Sequence, residues 1–136
     1  MRRLLVIPAV AALALSACGT AQTSSSNAQF KGAQKDVADV VDKLATAGRR
    51  GDAKTICSDI LAKQLLTQLK TAGGNCEDEM KNAIRDASDY DLQVRSVKVT
   101  GSNATAQVRQ GKNGRTATFT FVKEGAAWRA SALGGA

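Results

Sequence analysis

The chain has 136 residues, 19 Lys and Arg against 12 Asp and Glu, a formal net charge of +7, and no histidine. That length suits one domain with one modest core. Without histidine a zinc site would need carboxylates to complete it, and a nucleophilic thiol would lack its usual base. Scattered rather than clustered cations, with aromatics at only 4%, argue against a nucleic-acid surface.

Met1, Arg2 and Arg3 precede an apolar run over residues 4–17, the charged and apolar regions of a secretory signal. The run is too short to cross about 30 Å of hydrocarbon as a helix rising about 1.5 Å per residue. It ends in Leu15-Ser16-Ala17-Cys18, which closely resembles the bacterial lipobox. The resemblance implies a diacylglyceryl thioether on Cys18 and cleavage just before it. Residues 1–17 are then a lipoprotein signal peptide, and the mature chain is anchored by lipid at the extracytoplasmic face of the cell membrane. It loses Arg2 and Arg3, leaving 17 basic residues against 12 acids, and such a chain gains attraction to an anionic bilayer.

Residues 18–29 comprise the lipidated cysteine and a small, polar stretch without periodicity, a flexible tether with a root-mean-square reach of about 18 Å. With Cys18 assigned to lipid, Cys57 and Cys76 remain as an even pair in an oxidising compartment, which predicts a disulfide. The loop it closes would contribute about 3 kcal/mol on the chain-entropy estimate.

The folded domain is expected over residues 30–136. A first helix is predicted over about 30–47, with Phe30, Ala33, Val37, Val40, Val41, Leu44 and Ala47 on one face and Gly48 as its stop. Asp52 stands at an N-cap position ahead of a second helix. That helix carries Ile56, Cys57, Ile60, Leu61, Leu65, Leu66 and Leu69 and is open to a break near Ala62-Lys63. Asn75 caps a third helix, with Glu77, Asp78 and Glu79 in the first turn, where the helix dipole favours acids, and Cys76, Met80, Ala83, Ile84 and Ala87 on its buried side.

From Leu92 the apolar period drops to two. Leu92 and Val94 share one parity and Val97 and Val99 the other, which a bulge at Arg95-Ser96 reconciles. Ala104, Ala106 and Val108 alternate next, and Asn113-Gly114 marks a hairpin. Ala117, Phe119 and Phe121 follow, then Trp128, Ala130 and Ala132 after a turn at Glu124-Gly125. The reading is α+β: three N-terminal helices on one face of a curved antiparallel sheet of about four strands.

The helix order, the Gly51-Asp52 step, the paired cysteines and the closing segment Phe-Val-Lys-Glu-Gly-Ala-Ala-Trp-Arg (residues 121–129) together resemble the NTF2-like (cystatin-like cone) superfamily. The specific likeness is to small actinobacterial lipoproteins carrying such a domain. It spans about residues 30–133 and implies a cone-shaped fold, but no single function. Enzymes of that superfamily place Asp, His and Tyr in the mouth of the cone. Here there is no histidine, Asp36 and Asp39 fall on the polar face of the first helix, and Tyr90 reads as a partly buried residue with a hydrogen-bonded hydroxyl. No catalytic residue and no metal ligand is assigned.

Phe119, Phe121 and Trp128, with Val37 and Leu44, are candidates for lining a pocket, although as aromatic and apolar residues they serve equally as core. Arg50-Gly51-Asp52 spells an adhesion tripeptide but is explained by a linker and a cap. The Gly-Lys pair at Gly111-Lys112 lacks the ending of a phosphate loop. The expected function is a non-catalytic binding module for an envelope protein or a small apolar ligand, with no cofactor. An isomerase- or lyase-type envelope enzyme and a structural subunit are the alternatives. Many domains of the superfamily dimerise through the sheet face, so the resemblance also admits a homodimer.

Overall fold

A computed structural model describes residues 27, 29–87 and 90–134. The expected signal segment, Cys18 and all of the tether except Asn27 and Gln29 lie outside the described residues. The architecture is α+β, with four helices and a four-stranded antiparallel sheet. Helix α1 spans Ala33–Arg50. Helix α2, Ala53–Thr55, continues as a π-helical turn over Ile56–Ile60; α3 spans Lys63–Thr71 and α4 Cys76–Asp86. Strands β1 (Leu92–Thr100), β2 (Asn103–Gln110), β3 (Thr116–Glu124) and β4 (Ala127–Leu133) form a meander in sequence order. Among the described residues no helix is long and apolar enough to cross a membrane.

The three helices expected from periodicity become four because the second one divides. After the π turn, Leu61 takes extended backbone and bridges in parallel to Ala130, and the Ala62 N–H donates to the Ala130 carbonyl at 2.8 Å. This short pairing covers the outer edge of β4, which would otherwise offer unpaired backbone groups. The anticipated break near Ala62-Lys63 is therefore a sheet contact. Glu124 accepts from the Lys63 N–H at 2.7 Å, tying the start of α3 to the β3–β4 turn. Caps at Asp52 and Asn75 form as the sequence suggests. Asp52 accepts from the Thr55 N–H and hydroxyl, and Asn75 accepts from the N–H groups of Glu77 and Asp78.

Helix α1 departs from expectation at both ends. It begins at Ala33, whose side chain is exposed, and it runs through Gly48 to Arg50. The left-handed residue that ends it is Gly51, at φ 68°, whose N–H bonds back to the Ala47 and Gly48 carbonyls. Val37 and Val41 are fully buried against the sheet, joined by Ala38 and Ala45, which the stripe reading omitted.

In the sheet, Val94 pairs with Val108 and Ser96 with Gln107, leaving Arg95 as the extra residue of a bulge. The bulge turns Val94 and Val97 to the same buried side, as the parity change required. A second bulge, on β4, was not legible in the sequence. Thr120 pairs with Ala132 and Phe121 with Ala130, so Ser131 is extra. Beyond it the parity reverses, and Ala132, expected inside, is exposed while Leu133 packs on the core. At the β2–β3 hairpin only glycine fits position 114, since a Cβ there would stand 1.1 Å from the Gln110 carbonyl oxygen.

Cys57 and Cys76 are disulfide-bonded with Cα atoms 6.1 Å apart, joining the π turn to the first residue of α4. The core lies between α1, the π turn and the inner face of the sheet, with Phe119, Phe121, Ile56 and Ile60 among its fully buried side chains.

Candidate functional site

Helix α4 sets the site. It is stapled at its start by the disulfide and capped by Asn75, yet none of its residues is fully buried. Met80 and Ile84 are half-buried, and Ala83 and Ala87 are exposed. Cys76, Met80 and Ile84 pack against the core, but the apolar face of α4 is only partly covered. The space beneath it is a cavity of about 580 Å³, inside the range of small-molecule sites. Its walls are mainly apolar: Leu44 of α1, Ile56 of the π turn, Met80 and Ile84 of α4, Phe119 of β3 and Leu133 of β4.

Polar groups are few and sit around these walls: Asp86 at the end of α4, Tyr90 before β1 and Gln110 at the end of β2. The Tyr90 ring lies against Gly48, where a Cβ would approach Cδ1 to 2.5 Å. Its hydroxyl is buried and has no hydrogen-bond partner among the described residues, whereas the sequence reading expects one. A buried hydroxyl without a partner costs free energy. Asp86 is exposed and sits 3.4 Å from the Arg85 Nε.

Of the candidate pocket residues, Leu44 and Phe119 line this cavity, while Val37, Phe121 and Trp128 are buried in the adjoining core. Lys123 lies over the Trp128 ring, 6.0 Å from its centroid. Met80, Ile84, Tyr90 and Leu133 are among the other walls. Sequence reasoning had assigned the first two to a buried helix face, and the parity change that turns Leu133 inward has no local signature.

The other concentration of ionisable groups is on the side of α1 turned away from the sheet. The Asn27 side-chain amide donates to Asp39, at 2.8 Å, and to Asp42, and Lys35 donates to Asp39 at 2.7 Å. Burial, together with the Asp39 charge, pushes the Asp42 carboxyl above the usual carboxylate value. Burial acts on Asp39 in the same direction, but the hydrogen bonds from Lys35 and Asn27 outweigh it and hold that carboxyl low. Asp52, held by the Thr55 backbone and hydroxyl, also lies below its usual value, so the acid of the Arg-Gly-Asp tripeptide is occupied as a cap. Among the described residues no group of three or more Cys, Asp and Glu is placed to hold a metal ion.

No known family, curated protein or solved structure matches the chain.

Proposed function

We propose that the chain is a membrane-anchored extracytoplasmic lipoprotein whose NTF2-like domain is a non-catalytic binding module for a small, largely apolar ligand. The anchor reading rests on the basic start, the short apolar run and Leu15-Ser16-Ala17-Cys18. The observation that carries the binding reading is the cavity of about 580 Å³ walled by Leu44, Ile56, Met80, Ile84, Phe119 and Leu133. The half-buried side chains of Leu44, Met80, Ile84 and Leu133 on its walls leave apolar surface for an apolar ligand to pack against. Asp86 and Gln110 at the edge of these walls are the polar side chains within the lining that a ligand's polar group could meet. The acid whose pKa is raised, Asp42, lies on the far side of α1 and outside the cavity lining, which sets the enzyme reading behind the binding one.

The test is to purify the native protein from its own membranes and identify by untargeted mass spectrometry what is released on denaturation. A recurrent apolar molecule in near-stoichiometric amount is the expected result. Repeated isolation of empty protein would turn the reading to an envelope protein partner, and cross-linking in the envelope would be the next measurement. The same mass spectrum reads the anchor directly, as acyl chains on Cys18.

A further inference from the structure

Charge is divided along the chain in a way its total conceals. Between Cys18 and Asp91 there are ten Lys and Arg residues against eleven acids; from Leu92 onward there are seven against one, Glu124. The sheet half therefore carries the whole positive excess of the mature chain. Strand register decides where that charge points. Val94, Ala106, Val108, Phe119, Phe121 and Ala130 face the helices, so the alternate positions form the open face. These include Arg95 and Lys98 on β1 and Arg109 on β2, while the Arg129 guanidinium on β4 donates to the Ser58 carbonyl of the π turn at 2.7 Å. Arg95 and Lys98 are exposed, and none of these three is in an ion pair with a described residue. Glu124 is spent on the Lys63 N–H at the end of β3. Between the cations lies a hydrogen-bonding surface that includes Thr105, Gln107, Thr118 and Thr120, with Gln107 donating to Thr118 across the strands at 2.9 Å.

From these features we infer that the open face of the sheet docks on an acidic protein surface. Three observations choose that occupant. A second copy of this chain would bring like charges face to face, which opposes a sheet-to-sheet homodimer. A bilayer surface is a poor fit because the apolar side chains on the face, Val122, Ala127 and Ala132, are small, without the large groups that interfacial binders insert. The chain's exit point also opposes the bilayer. Asn27 is held by Asp39 and Asp42 on the side of α1 away from the sheet. The nine residues from Cys18 to the start of the described chain reach at most about 30 Å, and passing two layers each about 10 Å thick would consume most of that. The helical layer then faces the membrane and the cationic face looks outward. This orientation rests on the anchor reading of the preceding subsection; the charge argument does not. Four strands of about eight residues present roughly 500 Å², less than the about 800 Å² a stable partner usually buries, so the complex is transient and salt-sensitive.

The test uses the chain from position 18 with Cys18→Ser, which has no acyl group and contains every described core residue, so that failure speaks to the face and not to the anchor. Poly-L-glutamate is the probe, titrated at low and high salt and followed by backbone amide shifts. Binding that fades with salt, with shifts in β1 to β4, is expected. Arg95→Gln with Lys98→Gln should weaken it about tenfold, and Lys54→Gln with Lys70→Gln, the same charge loss in the helical layer, by less than about twofold. Shifts concentrated on the helices, equal losses in the two double variants, or no binding would each overturn the inference. Vesicles of phosphatidylglycerol and phosphatidylcholine in equal parts provide the other arm. Binding to them in preference to poly-L-glutamate would also overturn it, in favour of a lipid surface.

Discussion

Gly48 lies against the ring of Tyr90 so closely that a Cβ on the glycine would stand 2.5 Å from Cδ1 and 3.3 Å from Cγ of the tyrosine. Those atoms belong to the base and side of the ring and cannot swing clear without moving the side chain from the cavity wall. Gly48→Ala gains about 1 kcal/mol of helix propensity but meets an overpacking cost of about 1–3 kcal/mol. The expected outcome is a net loss of stability in urea titration. Binding of the cavity's ligand should weaken too, whereas Tyr90→Phe, which keeps the ring in the wall, should leave it within about twofold.

The disulfide ties α4 to the π turn and so holds the cavity roof in place. Reducing it, or making Cys57→Ser with Cys76→Ser, should cost about 3 kcal/mol for a loop of sequence separation 19. Intact mass of the non-reduced chain should rise by two protons on reduction. Free thiols before reduction would contradict the bond.

Two substitutions should part core from cavity. Phe121 is fully buried, and Phe121→Ala should cost about 3–5 kcal/mol. Ile84 is only half-buried on the cavity wall, so Ile84→Ala should cost about 1–2 kcal/mol, below the usual range for a fully buried isoleucine. At a temperature where both remain folded, Ile84→Ala should impair ligand binding more. The reverse order would relocate the binding site.

The paired acids on α1 give a pH test with opposite signs. Asp42 has its folded pKa raised by burial and by Asp39, so its charge penalises folding fully above that folded pKa. The penalty lifts as pH falls to the unfolded value of about 3.9. Asp39, held low by Lys35 and Asn27 despite burial, contributes stability above about 3.9 that is lost as pH falls through its lower folded pKa. Asp42→Asn should therefore raise the urea midpoint at neutral pH and remove the gain on mild acidification. Stability of the variant that still rose on acidification to the same extent would show that Asp42 is not its source.

The sequence by itself determined whatever depends on neighbours along the chain. Cap residues at Asp52 and Asn75, the change of period at Leu92, the Arg95 bulge and a hairpin near Gly114 are local conditions on the backbone, although the turn itself runs from Gly111 to Gly114 with the positive φ at Gly111. The cysteine pair was legible for a related reason, since setting Cys18 aside left two thiols on apolar faces of consecutive helical segments. Tertiary structure decided what depends on distant partners. Ala130 draws Leu61 and Ala62 into a parallel pairing and divides the second helix; Tyr90 requires a glycine inside α1, so Gly48 is a packing residue and Gly51 the stop. The Ser131 bulge exchanges Ala132 for Leu133 on the inner side. The cavity follows the same rule. Periodicity states which face of α4 is apolar, but how closely that face approaches the sheet is set by packing among five separate segments. The cationic face combines both sources. Its charges can be counted in the sequence, and only strand register and the position of the helices show that Arg95, Lys98 and Arg109 share one open surface.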